Sequence, residues 1–362
     1  MPLGRKKSEQ ATLRPSEADN VVRWNADCGG RGHVESFFLK WNLSPDSNIQ
    51  EDSDAGPRFV AFWLKFTILH NSDHRSAPVG EVWAIAFDDK NQAHVAEKST
   101  FEQCDWEMEE NIFFLRFGPS EIRQGHTKGK LEGKNGKISW EVHWKPRTFG
   151  VKQLPYEWMY SGGFPRNKMS TPHPDARMNG WIEISGKRIE FEDAPGMQGH
   201  NWGVKHPNSW LWAHANIFKG KGRAVFEAVT GCIAIGPVVL PKATIVYLEY
   251  DGEPILINGM IQMFRTQSLQ DGFSWTLKAE NELYRIEAII EAPESDFVGV
   301  NYRNPDGTIM RCLNSKMSSI RLSFFRRDGG EVTLVDELIG DRNAAFEIGK
   351  TGDSMGIPIK IP

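Results

Sequence analysis

Lys134-Asn135-Gly136-Lys137 leads into Ile138-Ser139-Trp140-Glu141-Val142-His143-Trp144, and this stretch decides the fold class. Asn-Gly is the strongest short hairpin signal, because both residues tolerate the positive φ of a tight turn between twisted strands. The seven residues after it alternate, with Ile138, Trp140, Val142 and Trp144 at every second position. A period of two puts those four on one face of a strand, apolar and aromatic.

Outward from this hairpin the signature recurs. Residues 34–41, 59–69 and 80–87 are β-branched and aromatic runs, and the turn Asp88-Asp89-Lys90-Asn91 leads to His94-Val95-Ala96. Residues 111–117 and 122–131 complete a first series. A proline-rich passage, 146–174, breaks the rhythm and reads as a crossing segment or partial lid. Strands resume over 179–184, turn at Ser185-Gly186-Lys187 and run to Phe191. A second series covers 210–218, 223–232, 244–250, 254–257, 261–265, 273–279, 284–290, 320–325 and 332–338, with Asp251-Gly252 and Asp271-Gly272 as turns. Only 341–346 reads as helical. Evenly spaced strands without alternating helices exclude a doubly wound α/β fold. Sandwich and closed barrel both fit the pattern, but a barrel avoids exposed edges and can hold a ligand, and two sets of strands fit two barrels. The expectation is all-β: a disordered tail over 1–20, a barrel over 21–205, a second over 206–350, and a tail over 351–362.

Composition agrees with a protein of two cores. The chain has 362 residues, 40% of them hydrophobic, where two domains are the natural prior. A net charge of -4 argues against a nucleic-acid partner, which needs a basic stripe; Arg5-Lys6-Lys7 stands alone in a polar stretch. No secretory signal is visible, and no apolar run is long enough for a membrane span. Peripheral membrane contact stays open, and the oligomeric state is not readable. Cys28, Cys104, Cys232 and Cys312 lack paired spacing, so zinc and redox motifs are absent and the cytoplasm is the expected address. Seven of the thirteen tryptophans fall between Trp140 and Trp212, a density that suits the wall of a ligand cavity as well as a core.

The most unusual stretch is Gly196-Met197-Gln198-Gly199-His200-Asn201-Trp202-Gly203, followed by Trp210-Leu211-Trp212-Ala213-His214. Three glycines permit tight turns or close approach, and Gln198, His200, Asn201 and the tryptophans bring donors and acceptors. A structural corner and a functional site fit these residues equally. The His-Asn-Trp-Gly motif and the W-x-W strand resemble the superfamily of AttH-like proteins, carotenoid hydratases of the hydroxyneurosporene synthase type and tocopherol cyclases. Gly32-His33-Val34-Glu35-Ser36-Phe37-Phe38-Leu39 and Ala61-Phe62-Trp63-Leu64 resemble the first strands of an uncharacterised bacterial branch of that group. The resemblance implies two consecutive lipocalin-like (calycin) antiparallel β-barrels and an apolar ligand such as an isoprenoid, lipid or polyketide chain. It implies hydration, cyclisation or isomerisation as the reaction, or a carrier role for a lipid or pigment. It carries over His200, Asn201, Trp202 and Gly203 and no catalytic acid.

Hydration or cyclisation of an alkene needs a strong general acid and a wall that shields a cation. A carboxyl kept protonated by apolar surroundings supplies the first, and aromatic faces the second. Glu227 shares a face with Val225 and Val229, and Glu35 shares one with Phe37 and Leu39, so these two are the candidate acids, with His200 beside them. Either glutamate could equally be the outward member of an edge strand. Gln198, Asn201, Trp202, Trp210, Trp212 and His214 are the candidate ligand contacts. His200, His206 and His214 are too irregularly spaced for a metal trio, so no metal is expected. No hydrolase elbow, phosphate loop or dinucleotide fingerprint occurs, and no cofactor is expected.

Overall fold

The Gly136–Trp144 strand pairs with His126–Gly133 on one side and with Asn167–Ile184 on the other. Ile138, Trp140, Val142 and Trp144 all enter one apolar core, as their alternation requires. The computed structural model describes residues 13–15, 20–25, 31–44, 47–51, 58–73, 76–108, 112–145, 149–220, 224–232, 234–235, 238–239, 241–352 and 354–362. Most of the first tail, Cys28, residues 146–148 and parts of the 233–240 stretch lie outside them.

The chain forms two antiparallel barrels. The main path of the first sheet runs Val95–Glu102, Val79–Asp88, Phe59–His70, His33–Asn42, Lys187–Gly203, Asn167–Ile184, Gly136–Trp144, His126–Gly133, Ser120–Arg123, Phe114–Phe117 and Trp106–Met108. The end strand curls back onto the hairpin turn: Glu97 Oε1 accepts from Gly136 N at 2.8 Å, and Asn135 Nδ2 donates to Ala96 O at 2.8 Å. The second sheet runs Glu253–Ile257, Ala243–Tyr250, Ala224–Cys232, Ser209–Ala215, Glu331–Lys350, Ile309–Asp328, Tyr284–Glu291, Ser274–Glu280 and Gln267–Asp271. Ser268 on its last strand meets the Thr230 hydroxyl of Ala224–Cys232 at 2.9 Å. Each barrel has its own core, one around Phe37, Trp41 and Trp140, the other around Phe226, Trp275 and Phe346.

Several local expectations need correcting. Residues 341–346, expected as helix, lie inside the Glu331–Lys350 strand. Ala344, Phe346 and Ile348 there face the second core, and sheet pairing on both sides overrides the helical preference of Asn-Ala-Ala. Residues 261–265, expected as strand, form the helix Met260–Arg265. Only Met263 is buried within it, so the run lacks the alternation that a strand would bury. The proline-rich passage is mostly built structure: a strand at Phe149–Lys152, a short helix at Trp158–Ser161, and the first half of Asn167–Ile184. Pro172 and Pro174 fall where that strand shifts register against its neighbour, the position in a sheet that tolerates a missing donor. The ends are not only tails: Leu13–Pro15 pairs with Phe149–Lys152, and Ile359–Ile361 pairs with Val298–Arg303.

The glycine-rich motif is also not a turn. It ends the Lys187–Gly203 strand, which lies between His33–Asn42 and Asn167–Ile184. Its glycines serve close packing, since a Cβ on Gly199 would collide with the Phe38 ring.

A third apolar cluster joins the barrels. It holds Phe38, Trp63, Trp83 and Met197 from the first and Trp212, Val300, Tyr302 and Met317 from the second. Along His33–Asn42, then, Phe37, Leu39 and Trp41 point into the first barrel, and Phe38 points toward the second.

Candidate functional site

Alternation along Lys187–Gly203 divides the candidate residues into two groups. Gln198, His200 and Trp202 stand opposite Leu39, Phe37 and Glu35, on the inner face. Met197, Gly199 and Asn201 stand opposite Lys40, Phe38 and Ser36, on the face turned to the second barrel. Residues adjacent in sequence therefore serve different sites.

The inner group is a buried polar network. Glu35 is fully buried, and its Oε1 lies 2.7 Å from His200 Nε2 while Oε2 lies 3.0 Å from His33 Nε2. The carboxylate also accepts the main-chain N–H groups of Arg23 and Trp24, at 2.8 Å each. Burial alone would raise its pKa, but the hydrogen bonds and charges of His200 and His33 outweigh it and lower the pKa to about 2. Glu35 is thus held ionised, a state that suits an anchor rather than a proton donor. His200 stacks on Phe37 at 4.1 Å, and the tilted Trp202 ring lies 4.6 Å from it. Gln198 exchanges amide hydrogen bonds with Asn20 at 2.9 and 3.0 Å. The group clamps the 20–25 segment onto the barrel, the structural-corner reading of the motif.

The outer group faces the barrel junction. Asn201, Trp210 and Trp212 line a cavity there with Ser36, Phe38, Trp63, Lys65, Met169, His206, Tyr302 and Glu347. Its free volume is about 80 Å³. At 10–15 Å³ of such space per water, that is room for roughly five to eight waters, or a ring-sized group. His206 stacks on Trp210 and Tyr302 and bonds to Asn304 Oδ1 through Nδ1 at 2.7 Å. Burial first, then the Lys65 charge, lowers its pKa to about 4, so the ring is neutral at pH 7.

Glu227 is buried at the junction, one layer behind this wall. It accepts from Trp212 Nε1 at 2.9 Å, from Thr171 Oγ1 at 2.8 Å and from Gln153 Nε2 at 3.0 Å. Thr171 and Gln153 belong to the first barrel's sheet and its adjoining loop, so the carboxyl ties the barrels together. Here desolvation outweighs the hydrogen bonds and the pKa is raised. His214, opposite Glu227 in register, bonds through Nε2 to Pro174 O at 2.8 Å, and burial keeps it neutral.

Lysines are what the sequence reading missed. Lys40, Lys65 and Lys316 lie buried at the junction. The signal was available: Lys65 interrupts Phe62-Trp63-Leu64 and Phe66, and Lys40 interrupts Phe37-Phe38-Leu39 and Trp41. Lys316 Nζ lies 2.9 Å from Glu347 Oε1 and sits over the Trp63 and Trp212 rings. His200, His206 and His214 do not converge. The register instead brings His126 opposite His143 with Glu141 nearby, their ligand atoms within 4.8 Å of one another. Among the described residues this is the one group with metal-ligand spacing.

The family model described as tocopherol cyclase-like matches residues 120–350. A chloroplastic protein of Oryza sativa subsp. japonica, named as a probable tocopherol cyclase, is 29% identical over 182 residues, covering 47% of this chain and 37% of that protein. The chloroplastic tocopherol cyclase of Zea mays is 27% identical over 179 residues, covering 47% of this chain and 36% of that one. The matched region thus spans little more than a third of those relatives. Among solved structures, a Nitrosomonas europaea protein assigned as AttH superposes with a TM-score of 0.51 at 11% identity, covering 91% of this chain and 96% of its own. CghA gives a TM-score of 0.52 at 9% identity, covering 94% and 93%. These two likenesses show the fold.

Proposed function

Because the chain belongs to the tocopherol cyclase-like family, we propose that it binds an apolar, isoprenoid-type molecule between its barrels and closes a ring on it without a cofactor. Hydration and isomerisation are alternative fates of the same cation. The observation that carries this reading is the junction itself: an aromatic-walled cavity with a buried, hydrogen-bonded carboxyl of raised pKa directly behind Trp212.

In the proposed reaction Glu227 gives its proton to one carbon of an alkene, leaving a carbocation on the other. The faces of Trp63, Trp210, Trp212 and Tyr302 stabilise that cation. An internal hydroxyl closes the ring and returns its proton to the Glu227 carboxylate; water in its place gives the hydrate, and loss of a neighbouring proton the isomer. The Trp212 indole must leave Glu227 for the carboxyl to reach the cavity. His206 is neutral at pH 7 and competes for no negative charge. The cytoplasm remains the proposed address, consistent with the free thiols of Cys104 and Cys312. No helix among the described residues is long and apolar enough to cross a membrane.

One observation favours a carrier. The carboxyl on the cavity wall, Glu347, is tied to Asn314 and Lys316, so among the described residues no carboxyl without a partner lines the cavity. Identification of a co-purifying molecule by native mass spectrometry, followed by a turnover assay with it, separates the two. Conversion that falls about 10²–10⁴-fold in Glu227→Gln with binding retained supports the enzyme. Binding without any conversion by the wild type establishes the carrier.

A further inference from the structure

Lys65 stands on the cavity wall at 5% exposure, yet among the described residues no carboxylate or carbonyl oxygen accepts a hydrogen bond from its Nζ. Its nearest company is aromatic: Nζ lies 3.5 Å from the Tyr302 ring centroid and 5.4 Å from that of Trp83. The other junction lysines are provided for. Lys316 bonds to Glu347 and to Asn314, and Lys40 bonds to Asn42 and Asn216. Lys316 is paired with Glu347, which leaves Lys65 as the cavity-facing ammonium without a hydrogen-bond acceptor among the described residues. A second wall group is also unsatisfied: Asn201 Oδ1, a hydrogen-bond acceptor, is buried and without a partner.

We infer that the cavity takes its apolar ligand head first, through an anionic oxygen such as a carboxylate or phenolate, which the Lys65 ammonium meets at the wall. The inference rests on the proposed ligand site and adds to it the chemical class of the ligand's polar end. Burying an ammonium without an acceptor is costly, and an arriving oxyanion removes that cost while gaining a charge-assisted hydrogen bond. Asn201 Oδ1 can only accept, so it takes a hydrogen bond from water or from a ligand O–H and gives none to the anion. A cavity the size of a ring suits the head of such a molecule, with its apolar remainder against Phe38, Met169 and Trp210.

The charge on Lys65 is itself poised. Burial lowers its pKa to about 8, against the opposing fields of Glu347, Glu81 and Cys312, and Lys98 lowers it further. His206 also faces it, but is neutral in this range, and burial keeps the Tyr302 phenol protonated. Affinity for an anion must therefore fall as pH rises through 8, whereas affinity for a neutral analogue must not.

The test uses quenching of the cavity tryptophans in the full-length protein. The probes are geranic acid, its methyl ester and geraniol, with 4-nitrophenol for the phenolate arm. Expected is a preference of about ten- to a hundredfold for geranic acid over its ester at pH 7, the usual share of a hydrogen bond to a charged group. Lys65→Met should abolish the preference by weakening the acid alone, and Lys65→Arg should keep it beyond pH 9. A preference shown by geranic acid but not by 4-nitrophenol would assign the head as a carboxylate, and the reverse as a phenolate. Equal binding of acid, ester and alcohol, unchanged in Lys65→Met, overturns the inference while leaving the ligand site standing. Failure of every probe to bind overturns the ligand site and the inference with it.

Discussion

His200 Nε2 lies 2.7 Å from Glu35 Oε1, and neither side chain is exposed at all. The pair joins two neighbouring strands inside the first barrel, and the same carboxylate fixes the 20–25 segment through two main-chain N–H groups. This is an anchoring arrangement. It explains why a motif rich in donors turns most of them inward, away from the cavity.

The first prediction concerns Glu35 and acid. Its folded pKa of about 2 lies below the ordinary 4.5, so the folded state binds fewer protons than the unfolded one between those values. The stabilisation is complete above pH 4.5 and is lost as pH falls from 4.5 toward 2, about 3 kcal/mol in all. Urea melts across that window should show the decline in the wild type and a much flatter profile in Glu35→Gln. At pH 7 the variant should be destabilised by about 3–5 kcal/mol, as for breaking a buried charged pair. A stable Glu35→Gln with lost turnover would instead make Glu35 catalytic.

His200→Ala tests the same network from its other side. It opens space between Phe37 and Trp202 and removes a partner from a buried carboxylate, so a cost of about 2–5 kcal/mol is expected. Affinity for a cavity ligand should stay within twofold, because His200 faces the other way. An intact melting temperature with weakened binding would return His200 to the ligand site.

Glu227 behaves in the opposite sense. Its folded pKa is raised, so the folded state holds the proton more tightly and stability falls as pH rises above about 4.5 through the folded value. Glu227→Gln keeps the contacts to Trp212 and Thr171 and has no proton to lose. The variant should match the wild type in acid and exceed it at pH 8, by differential scanning calorimetry. Identical pH profiles would mean that the carboxyl is not protonated in the working range and is no acid.

How much of this was legible in the sequence follows from what each residue's position depends on. Trp140 and Phe37 could be placed in the first core because a strand's two faces are set by parity alone. The same parity would have separated His200 from Asn201 had the motif been read as a strand, but three glycines left a tight turn and close packing both open. The actual use of Gly199, making room for the Phe38 ring, depends on a neighbour more than 150 residues away. The contrast between Glu35 and Glu227 was out of reach for the same reason. Both sit in apolar strands, and their opposite pKa shifts come from His33 and His200 in one case and their absence in the other. The strand over 341–346 was misjudged because sheet pairing overrides a local helical preference, and the helix at Met260–Arg265 because an apolar run without alternation was read as a strand.

The last prediction concerns the junction as a joint between the barrels. Lys40 is fully buried on the first barrel and bonds to Asn42 Oδ1 at 3.3 Å and, across the junction, to Asn216 Oδ1 at 3.2 Å. Both acceptors are neutral. Burial lowers its pKa to about 7, Lys316 lowers it further, and Asp175 only partly compensates. Between pH 7 and 10.5 the unfolded chain therefore binds the proton that the folded chain has released, and stability rises with pH over that window. The penalty is greatest at and below pH 7. Lys40→Met keeps the length and apolar stem, removes the charge, and leaves the two amide oxygens to other donors or water. Chemical denaturation at pH 7 and pH 9.5 should show the wild type gaining stability with pH more steeply than the variant. The variant's relative advantage should be largest at pH 7, where replacing a buried, poorly compensated charge by an apolar group is neutral or stabilising by up to about 4 kcal/mol. Equal slopes would show that Lys40 keeps its charge in both states. A variant much less stable than the wild type at pH 7 would show instead that its hydrogen bond to Asn216 holds the barrels together more strongly than its buried charge pushes them apart.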